Sequence, residues 1–449
     1  GIPNHNPLGL DIHLESYAWN YSYADAFVVL NYTFKNSSAD TINNIYSGIW
    51  VDPSVANFNY TDYYTPGGGF TWYDNLNGFD ESEDDNGFNR DIAYQYDADG
   101  DDGWAQSYLG VSVLGGSIPM SYLKTNYYQW VWTNSNNSDY PAYSMPIDDY
   151  ERYEKMSSSV PKGTGLDYTS EGYPSSENSW LFLISAGPIG SKPSAADSTS
   201  WTLAPGDSCS IAFTVVCGLW SDGFTGDSPG RRNNLYVNYD WAQKAYDGED
   251  KNRNNVLDEG EDTNDNQVID RYILPAPPPV PNMHVDIESR KVTLYWQNNS
   301  ESFLDPISQE ADFEGYRIYG ARKTDNGSLS EFSLLLEADA NNDIGYNTGF
   351  SMIEIKNSYG EADSININDV YYHYKFENSD IKDGWLNYYA ITAYDRGDPD
   401  ANLASLESSI YSNRIYVYPG ESASVDAQWS GEPTVYPNPY RGQALWDGY

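Results

Sequence analysis

Residues 247–270, DGEDKNRNNVLDEGEDTNDNQVID, hold nine carboxylates and no aromatic side chain. A pattern recurs there every twelve residues: Asp250-x-Asn252-x-Asn254-x-Val256-Leu257-Asp258, then Asp262-x-Asn264-x-Asn266-x-Val268-Ile269-Asp270. The chemistry this spacing suits is Ca²⁺ binding. The ion takes about six to eight hard oxygens, and side chains at loop positions 1, 3 and 5 wrap one side of it. Position 7 supplies a backbone carbonyl (Val256, Val268), and position 9 an oxygen directly or through water (Asp258, Asp270). Position 8 is apolar in both copies, Leu257 and Ile269, which predicts an anchor to a core. Glu261 stands at position 12 of the first copy, where a bidentate carboxylate closes the shell. The second copy has Ile273 there, so its ligand set reads as incomplete. The alternative reading of the whole stretch is a solvated acidic linker.

These loops resemble the calcium loops of EF-hands, dockerins and thrombospondin type III repeats. The resemblance implies bound Ca²⁺ in a structural role, rigidifying a hinge between two β domains. Position 6, Gly in the family pattern, is Asn255 in the first loop and Gln267 in the second. No exiting helix fits between the copies, which argues against a calcium-switched helix pair. A second cluster, YDADGDDGW, puts Asp97, Asp99 and Asp101 at the same alternate spacing without a position-12 partner, and FDESEDDNG (Phe79–Gly87) adds five more carboxylates. Either is a further calcium candidate or a solvated turn.

Other chemistry is sparse. The four histidines, His5, His13, His284 and His373, form no HExxH pair and stand beside no cysteine. There is no GxSxG elbow, P-loop or strand-linked GxGxxG. Glycoside hydrolysis needs two carboxylates at a set separation, which spacing along a chain does not fix. The expectation is therefore no enzyme. Lys and Arg number 24 against 66 Asp and Glu, a net charge of −42, so a phosphate-tracking nucleic-acid partner is excluded by repulsion. No apolar run approaches the roughly 20 residues of a membrane span. Cys209 and Cys217 lie in one apparent strand, about 26 Å apart at about 3.3 Å per residue, and cannot bridge each other.

The elements that must position the loops read as all-β: two β-sandwich domains joined by a calcium-binding linker. The expected division is 1–246, an N-terminal sandwich; 247–273, the Asp/Asn-rich linker; 274–420, a second sandwich; and 421–449, a C-terminal linker and block. Strands are expected at 25–38, with Val28, Leu30, Tyr32 and Phe34 on one face, and at 45–51, 108–114, 127–133, 180–185 and 209–219. Helices are expected at 147–156 and 233–246, the latter with Leu235, Tyr239, Ala242 and Tyr246 sharing a face. ILPAPPPVPN (Ile273–Asn282) is a stiff polyproline boundary.

After that boundary, KVTLYW ending in Trp296, FEGYRIYGARK (Phe313–Lys323), WLNYYAITAYD (Trp385–Asp395) and SIYSNRIYVYPG (Ser409–Gly420) resemble the strands of a fibronectin type III module. The resemblance implies Trp296 as core aromatic; Asn387 stands at the family's tyrosine-corner position, and insertions fall near 298–312 and 337–384. Arg396-Gly397-Asp398 reads as a turn rather than an integrin-binding triplet. The block Val435-Tyr436-Pro437-Asn438-Pro439-Tyr440 resembles the opening of the type IX-like sorting domains of secreted bacterial surface proteins.

Segments Phe70–Asn75 and Asn126–Asn134 offer aromatics for glycan stacking, against a packing role for Tyr128, Trp130 and Trp132 on one face. The arm Gly1–Leu10 could extend and add to another subunit's sheet. Together these features lead to the expectation of a secreted, extracellular cell-surface structural protein. It would self-associate into a fibre, sheath or layer stabilised by calcium. The alternative is a module binding surface glycans.

Overall fold

Ser208–Leu219, SCSIAFTVVCGL, shows what holds the first half of the chain together. Cys209, Ile211 and Phe213 are buried on one face, and Ala212 and Val216 are buried on the other. A strand apolar on both faces must be covered on both. The computed structural model describes residues 7–21, 23–55, 75–98, 105–131, 145–160, 180–193, 201–220, 227–306, 310–323, 330–379, 381–397 and 403–420. By its internal contacts the chain divides into two units, Gly1–Leu274 and Pro275–Tyr449.

The first unit carries strands β1 (Leu10–Tyr17), β2 (Phe27–Asn36), β3 (Ile42–Asn43), β4 (Ile45–Val51), β5 (Asn75–Asp80), β6 (Ile92–Asp97), β7 (Ser107–Gly116), β8 (Lys124–Val131), β9 (Trp180–Ile189), β10 (Lys192–Pro193), β11 (Trp201–Leu203) and β12 (Ser208–Leu219). Helix α1 (Asp149–Ser157) lies between β8 and β9, and α2 (Asn233–Asp247) follows β12. Six strands form an antiparallel sheet in the order β1-β2-β12-β7-β6-β5; β4-β9-β8 form a second sheet and β10-β11-β3 a small third one.

One core lies between the large sheet and β4-β9-β8, built from Phe34, Phe79, Val111, Val113, Tyr127, Phe182, Ile184, Ile211 and Phe213. The other lies between the large sheet and α2, where Leu235, Tyr239, Ala242 and Tyr246 meet Phe27, Val29, Tyr94 and Tyr108. The expected helix face is therefore the buried one. In β2 the single apolar face expected from Val28 to Phe34 is only half the story. Phe27 and Val29 point to α2 and are fully buried, whereas Val28 is exposed. The all-β sandwich class holds, with α2 as an added layer on the large sheet.

The second unit carries β13 (Met283–Glu288), β14 (Lys291–Trp296), β15 (Phe313–Arg322), β16 (Ser333–Asp339), β17 (Ile365–Ile367), β18 (Val370–Tyr372), β19 (Tyr374–Asn378), β20 (Asn387–Asp395) and β21 (Ile415–Val417). A three-stranded sheet, β13-β14-β19, faces a four-stranded one, β16-β15-β20-β21, across a single core. Trp296 is fully buried there, 5.8 Å from the Tyr316 ring and 5.7 Å from the Tyr374 ring. Tyr316 and Ile318 face inward while Arg317 and Tyr319 face out. The last two strands are shorter than their sequence suggests: Trp385 lies before β20 and is exposed, and β21 covers only Ile415–Val417. Asn387 is buried and donates from Nδ2 to the Trp385 carbonyl at 2.8 Å.

Candidate metal centre

Helix α2 ends at Asp247, and Gly248 turns the chain at φ 55°. A Cβ at Gly248 would lie 2.0 Å from the Asp270 carbonyl oxygen, so only glycine lets the start and end of the acidic segment meet. There the Glu249 N–H donates to that same carbonyl at 3.0 Å.

Between these points the two repeats fold alike. Asp250 Oδ1 accepts the Asn254 N–H at 2.9 Å and Oδ2 the Asn255 N–H at 3.1 Å; twelve residues on, Asp262 Oδ1 accepts from Asn266 at 3.1 Å and Oδ2 from Gln267 at 2.9 Å. Asn252 and Asn254 donate from Nδ2 to Asp258 Oδ2, as Asn264 and Asn266 do to Asp270 Oδ2, all at 2.7–2.8 Å. These amides hold the exposed Asp258 carboxyl below its usual range. Arg253 and Asp265 at position 4, and Asn255 and Gln267 at position 6, all take left-handed φ of 55–64°. The family glycine is therefore replaced without change of backbone, at the strain cost a side chain pays there.

The position-12 carboxylates show what loop-by-loop reading misses. Glu261 Oε1 accepts the Lys251 N–H at 3.2 Å and Oε2 the Asp258 N–H at 3.0 Å, positions 2 and 9 of the first loop. Glu249 does the same for the second loop: Oε1 accepts from the Thr263 N–H at 2.8 Å and Oε2 from the Asp270 N–H at 2.9 Å. Each glutamate immediately precedes one loop and grips the other. The vacancy expected at Ile273 is thus filled by Glu249, 1% exposed. The twelve-residue period that relates Asp250 to Asp262 also relates Glu249 to Glu261, and this was the signal available in the sequence.

The segment is no free linker. Arg253, at position 4 of the first loop, runs into the first unit, pairing with Asp247 at 2.9 Å and Asp84 at 2.5 Å while stacking over Phe88. The Met120 N–H donates to the Arg253 carbonyl at 3.2 Å, and Asn255 Nδ2 donates to the Gly116 carbonyl at 3.2 Å. Arg271 pairs with Asp250 at 2.7 Å, and Tyr272 stacks on Tyr17 of β1 with centroids 3.9 Å apart. Val256 and Val268 are exposed, and Leu257 and Ile269 are only half-buried, weaker anchors than position 8 predicts. Arg253, Arg271 and Tyr272 do the docking instead. Burial pushes Asp247 up to about 6 even with Arg253 against it.

The donor set of each loop is three carboxylates, two amides and one carbonyl: Asp250, Asp258, Glu261, Asn252, Asn254 and Val256; then Asp262, Asp270, Glu249, Asn264, Asn266 and Val268. These hard oxygens fit Ca²⁺ by number and type. Among the described residues no three Asp, Glu, His or Cys groups converge as a ready metal cluster; here the loop carboxylates spend their oxygens on N–H groups. Asp97 is separate. It is buried in β6 and accepts the Ala105 N–H at 2.7 Å, while Asp99 and Asp101 lie outside the described residues. In the 79–87 cluster, Asp84 accepts the Asn86 and Phe88 N–H groups and pairs with Arg253, and Asp80 pairs with Arg232 at 3.1 Å.

Asp80 belongs to a second constellation. Arg232, 1% exposed, pairs with Asp227 at 2.6 Å and donates to the Tyr236 hydroxyl at 2.7 Å and to Tyr94. Tyr94 and Tyr108 donate to Asp227 at 2.7 and 2.9 Å, and Tyr236 to Asp80 at 2.6 Å. Burial and Asp227 push both Tyr94 and Tyr108 phenols far up, so they remain donors. This network closes on itself and offers no reactive group.

Among the described histidines, His13 lies near Glu15 at 3.7 Å and His284 near Asp286 at 3.0 Å, on different units. Cys209 and Cys217 are free thiols, Cys209 buried and pushed up to about 11. Trp130 is buried against Leu181 and Leu183, with Tyr128 packed beside it, a core role and not a glycan platform. Residues 70–74, Trp132, Asp398 and the 435–440 block lie outside the described residues. Arg396 pairs with Glu310 at 2.9 Å. No helix among the described residues is long and apolar enough to cross a membrane.

No family model matches the chain, and no curated protein does. Among solved structures, a polysaccharide lyase is similar at 9% identity and TM-score 0.23, covering 90% of this chain and 34% of that one. A β-1,2-glucanase from Parabacteroides distasonis is similar at 10% identity and TM-score 0.16, covering 84% and 37%. The vertebrate perforin-like membrane protein Astrotactin-2 is similar at 11% identity and TM-score 0.19, covering 89% and 66%. The chain thus spans about a third of the lyase and the glucanase. Scores this low carry no argument about this chain's chemistry.

Proposed function

We propose that this chain is a secreted structural protein of an extracellular surface, made rigid by two Ca²⁺ ions in its tandem loops and assembling with its own copies into a fibre, sheath or layer. The observation that supports it most is the reciprocal grip of Glu249 and Glu261, which gives both loops the same hard-oxygen donor set. Each set carries three negative charges, and each bound ion would offset two of them. An ion would draw Asp258 and Asp270 away from the amide N–H groups that now hold them, tying α2, β1 and the loops into one block. That is a structural use of calcium, and no reaction is assigned to it.

The surface for assembly in this reading is β1. Among the described residues no strand pairs its outer edge, and Ile12 and Leu14 are 63% and 47% exposed beside Phe34 and Tyr32 of β2. An unpaired edge with an apolar face invites a strand from another copy. Tyr- and Asn-rich surfaces add contact area at low side-chain entropy cost.

Electron microscopy and sedimentation of the full chain in Ca²⁺ should show ordered assemblies that Ile12→Lys abolishes while leaving the fold intact. Dispersed monomers at high concentration with Ca²⁺ would sink the assembly reading. Monomers retained on immobilised polysaccharide would replace it with the glycan-binding one.

A further inference from the structure

In the second unit two buried acids, Glu314 and Asp339, come within reach of each other. Glu314 sits where β15 slips register against β20, between Phe313 and Gly315, and is 2% exposed. Its Oε2 accepts the Asn342 Nδ2–H at 2.8 Å, but its buried Oε1 has no hydrogen-bond partner. Asp339, at the end of β16 and also 2% exposed, lies within hydrogen-bonding reach of that carboxyl.

Asp339 has no donor to give. Its Oδ1 accepts the Asn347 N–H at 3.0 Å, and its Oδ2 accepts the Tyr346 N–H at 3.1 Å and the Tyr394 hydroxyl at 3.4 Å. The cation that acts on Glu314 is Arg396, whose guanidinium is already paired with Glu310. Burial, followed by Asp339, holds the Glu314 carboxyl above its usual range. The 340–348 loop is wound tightly around this point: Gly345 takes φ 65°, and a Cβ on it would lie 2.3 Å from Asp339 Oδ2.

Two buried acceptors in contact need a positive species between them, because an unpaired buried charge costs several kcal/mol or neutralises itself. We propose that Glu314 and Asp339 form a divalent-cation site, with Ca²⁺ as its ion, that clamps the 340–348 loop to the β15–β16 sheet. Carboxylate oxygens are hard ligands, and the exposed residues 341–346 leave room for water to complete the shell. A proton shared by the pair would satisfy the same contact without calcium, and the response to Ca²⁺ separates the two occupants. The site is independent of the tandem loops, which belong to the first unit.

The test is calcium stoichiometry on the full, exhaustively chelated chain by isothermal titration, comparing wild type with Glu314→Gln. One ion fewer is expected in the variant, whatever the wild-type total. If the tandem loops bind nothing, wild type should still take up one ion and Glu314→Gln none, so failure of the loop reading stays distinguishable. Glutamine keeps the shape and can donate to Asp339. In chelator the variant should therefore melt no lower than wild type, and its second unit should gain nothing from Ca²⁺. Equal stoichiometry in the two proteins overturns the proposal. So does a melting difference that follows pH but ignores Ca²⁺, which would assign the shared proton.

Discussion

Asp227 and Asp250 are both nearly inaccessible, and they are held in opposite ways. Asp227 is satisfied mostly from a distance: Arg232 stands only five residues on, but Tyr94 and Tyr108 come from β6 and β7. Asp250 is satisfied mainly by the N–H groups of Asn254 and Asn255, four and five residues on, with Arg271 added from the end of the segment. In the first arrangement the charge is cancelled inside the protein. In the second, Arg271 offsets Asp250 while Asp258 and Glu261 of the same loop are held by N–H groups alone, so an ion from solution has something to bind. Glu314 and Asp339 are a third arrangement, neither cancelled nor fully oriented.

The largest effect expected from this contrast lies at Arg232. Arg232→Met would leave Asp80 and Asp227 buried without their cation and should lower unfolding free energy by about 3–5 kcal/mol in urea denaturation. A loss below about 1 kcal/mol would mean that the tyrosines alone carry the network. Next comes calcium. At free Ca²⁺ near 100 times its dissociation constant, one site adds about 2.7 kcal/mol, and a chelator should remove it as a drop in melting temperature. Glu249→Gln and Glu261→Gln should each reduce that response to a similar degree. If only Glu261→Gln does, the exchange is not a ligand exchange.

A smaller effect is expected at Asp395, held by the Gly397 and Leu406 N–H groups but close to Asp312 and Asp305. Burial, then those neighbours, push it up to about 6. Its folded-state value is therefore raised, so its contribution to stability is complete below about pH 4 and is lost as pH rises through about 6. Asp395→Asn should flatten this slope in pH-dependent melting; an unchanged slope would place the titration elsewhere. The smallest effect belongs to Asp148, which caps α1 by accepting the Glu151 N–H at 3.0 Å on the surface. Asp148→Ala should cost about 1 kcal/mol, which sets the scale for a carboxylate whose only task is to hold an N–H.

What could be read in the chain follows the same division. The tandem loops, the buried face of α2 and the inward placement of Trp296 are local patterns, and their periods survive folding. Glu249 is not legible from either loop taken forward to its own twelfth position, because the grip crosses between loops. The Arg232 network has no period at all, since its members are brought together from β5, β6, β7 and the start of α2. Glu314 is hidden for another reason: a register slip in β15 turns toward Asp339 a residue that strand alternation would treat as ordinary.

The crossed grip of Glu249 and Glu261 also limits how such a segment can grow or shrink by duplication. Removing either twelve-residue copy would take away one loop and strand the glutamate that serves it. A third copy would bring its own glutamate, so growth keeps one glutamate per loop while loss of one copy from the pair does not. The smallest heritable unit is therefore the pair.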